Sequence, residues 1–343
     1  MSLSASFEKK TYQFKRPSGT SRGILTEKHA WIIQITDLEN PNDIGVGECS
    51  IIPGLSPDFQ SLEAYEAKVT EVVKQVSFYA ENRELLRPFP SIYFGLEMAL
   101  LDLKNKGKAL FFENDFTKGK KEIPINGLVW MGDFDFMQEQ IFDKIQAGFT
   151  CIKLKIGAIH FEKELELLAQ IRTKYDKDII TIRVDANGAF SPDEALSKLN
   201  LLSELDIHSI EQPIKQGQWT EMKSLCARTP LPIALDEELI GVHDMSRKKE
   251  LLDTIQPQYI ILKPSLVGGF KGTHEWIELA TDLNIPWWIT SALESNIGLN
   301  AIAQFTAEFD NDLPQGLGTG ALYTNNEPSQ LFIENGYLRY RLD

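Results

Sequence analysis

Cys151-Ile-Lys-Leu-Lys-Ile-Gly157 is a short apolar run that reads as a strand, yet it carries two lysines. Side chains alternate faces along a strand, so Lys153 and Lys155 point the same way. Two ammonium groups on one face of an apolar strand are costly to bury. A lone Lys-x-Lys is therefore most often a solvated sheet edge. The sequence on either side reverses that reading. From Ile123 onward, apolar strand-like runs recur at 123–129, 151–156, 180–184, 207–210, 232–235, 258–262 and 285–289. Helical patterns fill the gaps, among them Glu162 to Tyr175, Pro192 to Glu204 and His274 to Leu283. A strand–helix unit repeated this often over one stretch is what a parallel (β/α) barrel requires. The competing doubly wound sheet lacks its marker, since no Gly-x-Gly-x-x-Gly follows the first strand.

Upstream of the repeat the pattern is different. Residues 5–49 alternate like antiparallel strands, with a polar, cationic connection from Lys15 to Gly23 that reads as a hairpin loop or a lid over a ligand. Ser61 to Phe78 reads as one amphipathic helix and Ser91 to Leu103 as a second, more buried one. Strands followed by helices without alternation predict a small α+β domain over residues 1–120, ahead of a barrel over 121–318. The tail, 319–343, holds two strand-like runs, Leu331-Phe-Ile-Glu334 and Gly336 to Arg341, expected to rejoin the N-terminal domain.

Composition narrows the function. The 343 residues carry a net charge of −14, which argues against nucleic acid and against an anionic membrane surface as partners. No run approaches the ~18 apolar residues of a membrane span, and no signal segment is evident, so the cytoplasm is the expected location. Three widely spaced cysteines give no disulfide framework, and five histidines without paired spacing give no zinc site. Whether the chain is a monomer or a homo-oligomer is left open.

In a barrel of this kind, function resides at the C-terminal ends of the strands. Those ends carry Lys155, Asp185 (in Thr181-Ile-Arg-Val-Asp-Ala-Asn187), Glu211 (in His208-Ser-Ile-Glu-Gln-Pro213), Asp236 (before Glu237), Lys263 and Ser291. They follow one another at 30, 26, 25, 27 and 28 residues, one group per repeat. Any one acid alone reads as a helix cap or a surface residue. Three on consecutive strands repel strongly unless a cation sits among them. Oxygen ligands without His or Cys select a hard ion, Mg²⁺ with Mn²⁺ as the alternative. Lysines on both flanks of such a centre suit removal of a proton α to a carboxylate, and repulsion from Lys153 would favour the neutral, basic form of Lys155. A small carboxylate is then the expected substrate.

The set Lys153-Leu-Lys155, Asp185-Ala-Asn187, Glu211-Gln-Pro213, Asp236-Glu237 and Lys263-Pro264 resembles the enolase superfamily, in its muconate-lactonizing subgroup. Gly45-Val-Gly-Glu-Cys-Ser50 with Pro53-Gly-Leu-Ser56, and Leu96 to Asp102, are similar to that family's capping domain. The resemblance implies an α/β fold, a (β/α)7β TIM-like barrel with an α+β capping domain. It implies Asp185, Glu211 and Asp236 as metal ligands, Lys155 as acid/base, Lys263 as its counterpart and Lys153 as electrostatic helper. Asn187, Arg183, Ser291 and Glu237 would be polar neighbours of the substrate. Thr290 to Gly298 resembles the corresponding loop of the o-succinylbenzoate synthases of menaquinone biosynthesis, whose small residues and backbone N–H groups would hold a distal carboxylate. The same stretch also reads as a helix start with Ser291 as cap and Glu294 closing a capping box. The Asp-x-Asp usual in dipeptide epimerases is missing from Gln315-Gly-Leu-Gly-Thr-Gly320. The implied reaction is dehydration of 2-succinyl-6-hydroxy-2,4-cyclohexadiene-1-carboxylate. The rivals are a racemase, epimerase or cycloisomerase of the same family, or a Schiff-base lyase using Lys155 or Lys263.

Overall fold

Period-two alternation in the first fifty residues becomes three long antiparallel strands, β1 (Leu3–Thr20), β2 (Gly23–Asp37) and β3 (Asn40–Ser50), in that order across one sheet. The structure, a computed structural model, describes residues 2–20, 23–157 and 160–342. Most of the expected Lys15–Gly23 loop belongs to the hairpin itself, because β1 continues to Thr20 after a register shift between Gln13 and Ser18. Ser21 and Arg22 at its tip lie outside the described residues.

The single helix expected over 61–78 is two. Ser61 caps α1 (Leu62–Lys74), its Oγ accepting from Ala64 N at 3.1 Å. Gln75 leaves helical geometry at φ −119°, and α2 (Val76–Glu81) starts again beyond it. The break lets Val76 and Tyr79 join the core that Trp31, Tyr65 and Val69 build between sheet and helices. The buried helix α3 (Pro90–Lys104) lies directly on β3, and the alternate glycines of Gly45-Val-Gly47 permit it. A Cβ on Gly47 would stand 2.0 Å from the Gly95 carbonyl oxygen, and one on Gly45 2.0 Å from that of Ala99. No side chain fits there.

From β4 (Ile123–Pro124) the barrel takes over. Its parallel strands are β5 (Gly127–Val129), β6 (Cys151–Lys155), β7 (Thr181–Asp185), β8 (Ser209–Glu211), β9 (Ile233–Leu235), β10 (Tyr259–Leu262) and β11 (Trp287–Ile289). They pair in sequence order, β5 through β11, in one seven-stranded sheet. Strands covered on both faces read as near-continuous apolar runs, which is why the repeat is visible in the sequence. Between them stand α4 (Phe134–Gln146), α5 (Phe161–Lys174), α6 (Pro192–Ser203), α7 (Trp219–Arg228) and α8 (Met245–Ile255). The short α9 (Pro264–Val267) and α10 (Gly269–Asp282) follow β10, and α11 (Asn296–Thr306) follows β11. The gap between the sheet's edges is bridged by Gln315 and Gly316, which pair in parallel with Ile125 and Thr290. An α/β barrel of the TIM type with a separate antiparallel cap results.

The last two strands, β12 (Leu331–Glu334) and β13 (Tyr337–Tyr340), differ from expectation. β12 pairs with β13, and β13 with β4, Leu338 opposite Ile123, in a sheet separate from the N-terminal one. The residues just ahead of them do reach the cap: Tyr323 packs between the rings of Tyr12 and Phe14, and Thr324 N donates to Gln13 O at 2.9 Å.

Cap and barrel are also tied by Glu97 of α3, whose carboxylate accepts from Phe270 N at 2.7 Å in the first turn of α10. Burial pushes this acid up to about 7, against hydrogen bonds from Phe270 and Lys271 that favour the anion. A carboxyl raised in the folded state stabilises fully below its ordinary value of 4.5 and stops doing so as pH rises through 7. Replacing it by Gln should remove that dependence. Urea unfolding of wild type and Glu97→Gln should therefore diverge between pH 4.5 and 7, the wild type losing stability with rising pH relative to the variant. Parallel profiles would show that Glu97 is ionised throughout.

Candidate active site

The parallel register places Lys155 of β6 beside Asp185 of β7, and Asp185 beside Glu211 of β8, on one level at the C-terminal ends of the strands. Glu211 pairs with Ala234 of β9, so Asp236, two residues further, faces the same way one level higher. Lys153 sits one level below Lys155. Lys263 follows β10 on the far flank.

These six charges alternate. Lys153 Nζ lies 2.9 Å from Asp185 Oδ2 and 2.5 Å from Glu211 Oε2. Lys155 Nζ lies 2.6 Å from the same Asp185 Oδ2 and donates to Asn187 Oδ1 at 2.9 Å. Lys263 pairs with Asp236 and stands 3.9 Å from Glu211 Oε1. Lys153 and Lys155 are thus not the bare repelling pair that the sequence suggested, because one carboxylate oxygen lies between them. Asn187 N donates to Asp185 Oδ1 at 2.9 Å and fixes that carboxylate, while the Asp236 backbone is held by its N–H donating to Gln212 Oε1 at 3.2 Å.

The charges are unequal in consequence. Burial opposes ionisation of Asp185, but Lys153 and Lys155 outweigh it and hold the carboxyl well below the usual carboxylate range. Glu211 goes the other way: burial, then Asp185 and Asp236, push it well above its ordinary value despite Lys153 and Lys263. Burial disfavours the Lys153 ammonium, yet Asp185, Glu211 and Asp236 together raise its pKa. The buried Glu211 Oε1 has no hydrogen-bond donor among the described residues. Among the described residues, no three His, Cys, Asp or Glu side chains stand as a metal cage, since ammonium groups rest on the carboxylates. An all-oxygen donor set with an orphaned, charge-starved carboxylate oxygen at its centre fits a further hard cation.

Above the cluster lies a cavity of about 110 Å³ lined by Lys153, Lys155 and Lys263. The cap roofs it with Leu25, Ile52, Pro53 and Leu55. That volume is below the ~300 Å³ of an ordinary small-molecule site, so the cavity must widen to admit a ligand of that size. A larger cavity, about 650 Å³, opens between α3 and α10 around Phe112, Phe270 and Phe305. Its lining includes none of the six charges.

Residues 137–341 match the family model described as enolase C-terminal domain-like. The chain belongs to the enolase superfamily. An o-succinylbenzoate synthase of Desulfotalea psychrophila is 49% identical to it, over 98% of each chain. The crystal structure of MenC from the same organism superposes with a TM-score of 0.85 at 45% identity, over 98% of this chain and 99% of that one. A D-Ala-D/L-Ala epimerase of Cytophaga hutchinsonii is 29% identical over 86% of this chain and 80% of its own.

Of the residues singled out in the sequence, the structure brings together Lys153, Lys155, Asp185, Asn187, Glu211, Asp236, Glu237 and Lys263. Glu237 enters through Oε1, which accepts from Asn187 Nδ2 at 3.0 Å. Ser291 lies on the cavity wall, its Oγ 2.6 Å from Thr319 Oγ1. It is not a helix cap; Ser295 caps α11 instead. The expected N–H cradle is already engaged: Ala292 N donates to Glu294 Oε2 at 2.7 Å and Leu293 N to Ser291 Oγ at 3.3 Å. Arg183 is misplaced by the sequence reading. Two residues before Asp185 on the same face, it points down the barrel, 3.9 Å from the Trp288 ring, with Nη1 donating to Pro314 O. Sequence reasoning missed Leu25, Asn126 and Trp130, which line the cavity from the cap and the first barrel strand without any motif to mark them.

Proposed function

We propose that this enolase-superfamily chain is an Mg²⁺-dependent o-succinylbenzoate synthase, a lyase of menaquinone biosynthesis with the (β/α)7β barrel and capping domain of its subgroup. It would dehydrate 2-succinyl-6-hydroxy-2,4-cyclohexadiene-1-carboxylate to o-succinylbenzoate. The observation that carries this reading is the facing of Lys155 and Lys263 across one cavity, above Asp185, Glu211 and Asp236. Full-length likeness to the Desulfotalea synthase supports the choice of reaction.

Asp185, Glu211 and Asp236 would hold the metal, Mg²⁺ or the similar Mn²⁺. When bound, the ion neutralises charge that develops on the substrate carboxylate. Lys155 removes the proton α to that carboxylate, and Asn187, on its Nζ, orients it. The electron pair left behind expels the hydroxyl group, and Lys155 returns its proton to the departing hydroxide on the same face. Lys263 stays protonated opposite, fixed by Asp236, where an ammonium stabilises the anionic ring system. Lys153, fixed between Asp185 and Glu211, keeps positive charge beneath the site.

A second reading has one observation in its favour. Lysines on opposite flanks can act as two bases, so 1,1-proton transfer on an N-acylamino acid or a dipeptide uses the same geometry. Incubation in D₂O separates the two. The dehydratase reading predicts that kcat/KM for the cyclohexadiene exceeds that for α-deuterium exchange into either enantiomer of those substrates by at least about 100-fold. Exchange as fast as dehydration, in both enantiomers, would favour the racemase.

A further inference from the structure

Leu293, on the cavity wall, has φ +61°, a left-handed conformation strained for a bulky side chain. Strain of this kind persists only where surrounding groups over-determine the backbone. Here they do. The Ala292 carbonyl accepts from Lys28 Nζ at 2.6 Å, and the Leu293 carbonyl from the Tyr323 hydroxyl at 2.6 Å. Lys28 comes from β2 and is 5% exposed; Tyr323 is wedged between Tyr12 and Phe14 of β1. Both clamps therefore belong to the cap side, while the wall belongs to the barrel.

Two buried acids complete the arrangement. Glu294 accepts from Ala292 N at 2.7 Å and from Ser265 Oγ at 2.5 Å, two residues beyond Lys263. Glu48 of β3 accepts from Ser295 N at 3.0 Å and Gly298 N at 2.9 Å, holding the start of α11. Ala292 is thus held at both its N–H and its carbonyl, and the charges of Glu294 and Glu48 favour the Lys28 ammonium against its burial.

We propose that Lys28 and Tyr323 are positioning residues that hold the Ala292–Leu293 wall in its left-handed turn, and so set which distal group of the substrate the cavity accepts. This rests on the function proposed above. With the wall's N–H groups engaged internally, a flexible acyl arm ending in a carboxylate is selected by the shape of Leu293 against Leu25 and by the Ser291–Thr319 hydroxyl pair. One hydrogen of that pair lies between the two oxygens, which leaves the other to donate.

The test uses Lys28→Met and Tyr323→Phe, the second removing only a hydroxyl. Each should raise KM for the cyclohexadiene about tenfold with kcat within about threefold. Each should also speed amide hydrogen exchange of residues 291–295 about tenfold, leaving the β6 and β10 amides unchanged. In a Leu293→Gly background, where φ +61° costs little, Lys28→Met should change KM less than about threefold. Unchanged exchange, a fall in kcat at constant KM, or an equal effect in the glycine background overturns the proposal. Should the wild type fail to turn over the diene, the proposed function falls, and the exchange measurement alone decides this inference.

Discussion

Lys155→Ala should abolish dehydration, by at least about 10⁴-fold in kcat, because one side chain serves as both base and acid. A single positioned proton transfer contributes roughly 10²–10⁴-fold, and here two pass through the same Nζ. The loss should not come from unfolding. Asp185 retains Lys153 at 2.9 Å when Lys155 is removed, and the truncation opens onto the cavity, where water enters. Mg²⁺ binding, followed by titration calorimetry, should persist, since none of the three proposed ligands changes. Residual turnover within tenfold of wild type would show that Lys155 is not the base.

Glu211→Gln should be as damaging by a different route. The amide keeps the shape of the side chain but removes the central carboxylate from the oxygen set. Mg²⁺ affinity should fall by more than about 100-fold, beyond the usual cost of losing a supporting residue, and turnover with it. The protein should still fold: Lys153 keeps Asp185 and Lys263 keeps Asp236. The carboxyl at this position is already pushed toward its neutral form by burial and by two neighbouring acids. Undiminished Mg²⁺ binding in this variant would remove Glu211 from the metal site.

The barrel was legible because parallel strands buried on both faces write long apolar runs, and because the charged exceptions fall at their ends at a regular spacing. Asp185, Glu211 and Asp236 could be read from one residue per repeat. Arg183 could not be separated from them by the same rule: it shares the face of Asp185, and only its depth in the barrel shows that it packs on Trp288. The two-residue bridge at Gln315–Gly316 carries too little pattern to be seen as a strand. The cap's contribution was illegible for another reason. Leu25, Ile52 and Leu55 reach the cavity by how the cap docks on the barrel, a long-range fact that local periodicity does not encode. The break at Gln75 and the pairing of the tail with Ile123–Pro124 are likewise tertiary choices.

The most direct test of the central claim is turnover of 2-succinyl-6-hydroxy-2,4-cyclohexadiene-1-carboxylate by the purified wild-type chain, followed by conversion of the diene to the aromatic product. The account predicts rapid formation of o-succinylbenzoate with Mg²⁺, loss of turnover on chelation, and recovery when Mg²⁺ is restored. Folded protein that forms no product with Mg²⁺, or that turns over equally well after chelation, would contradict it.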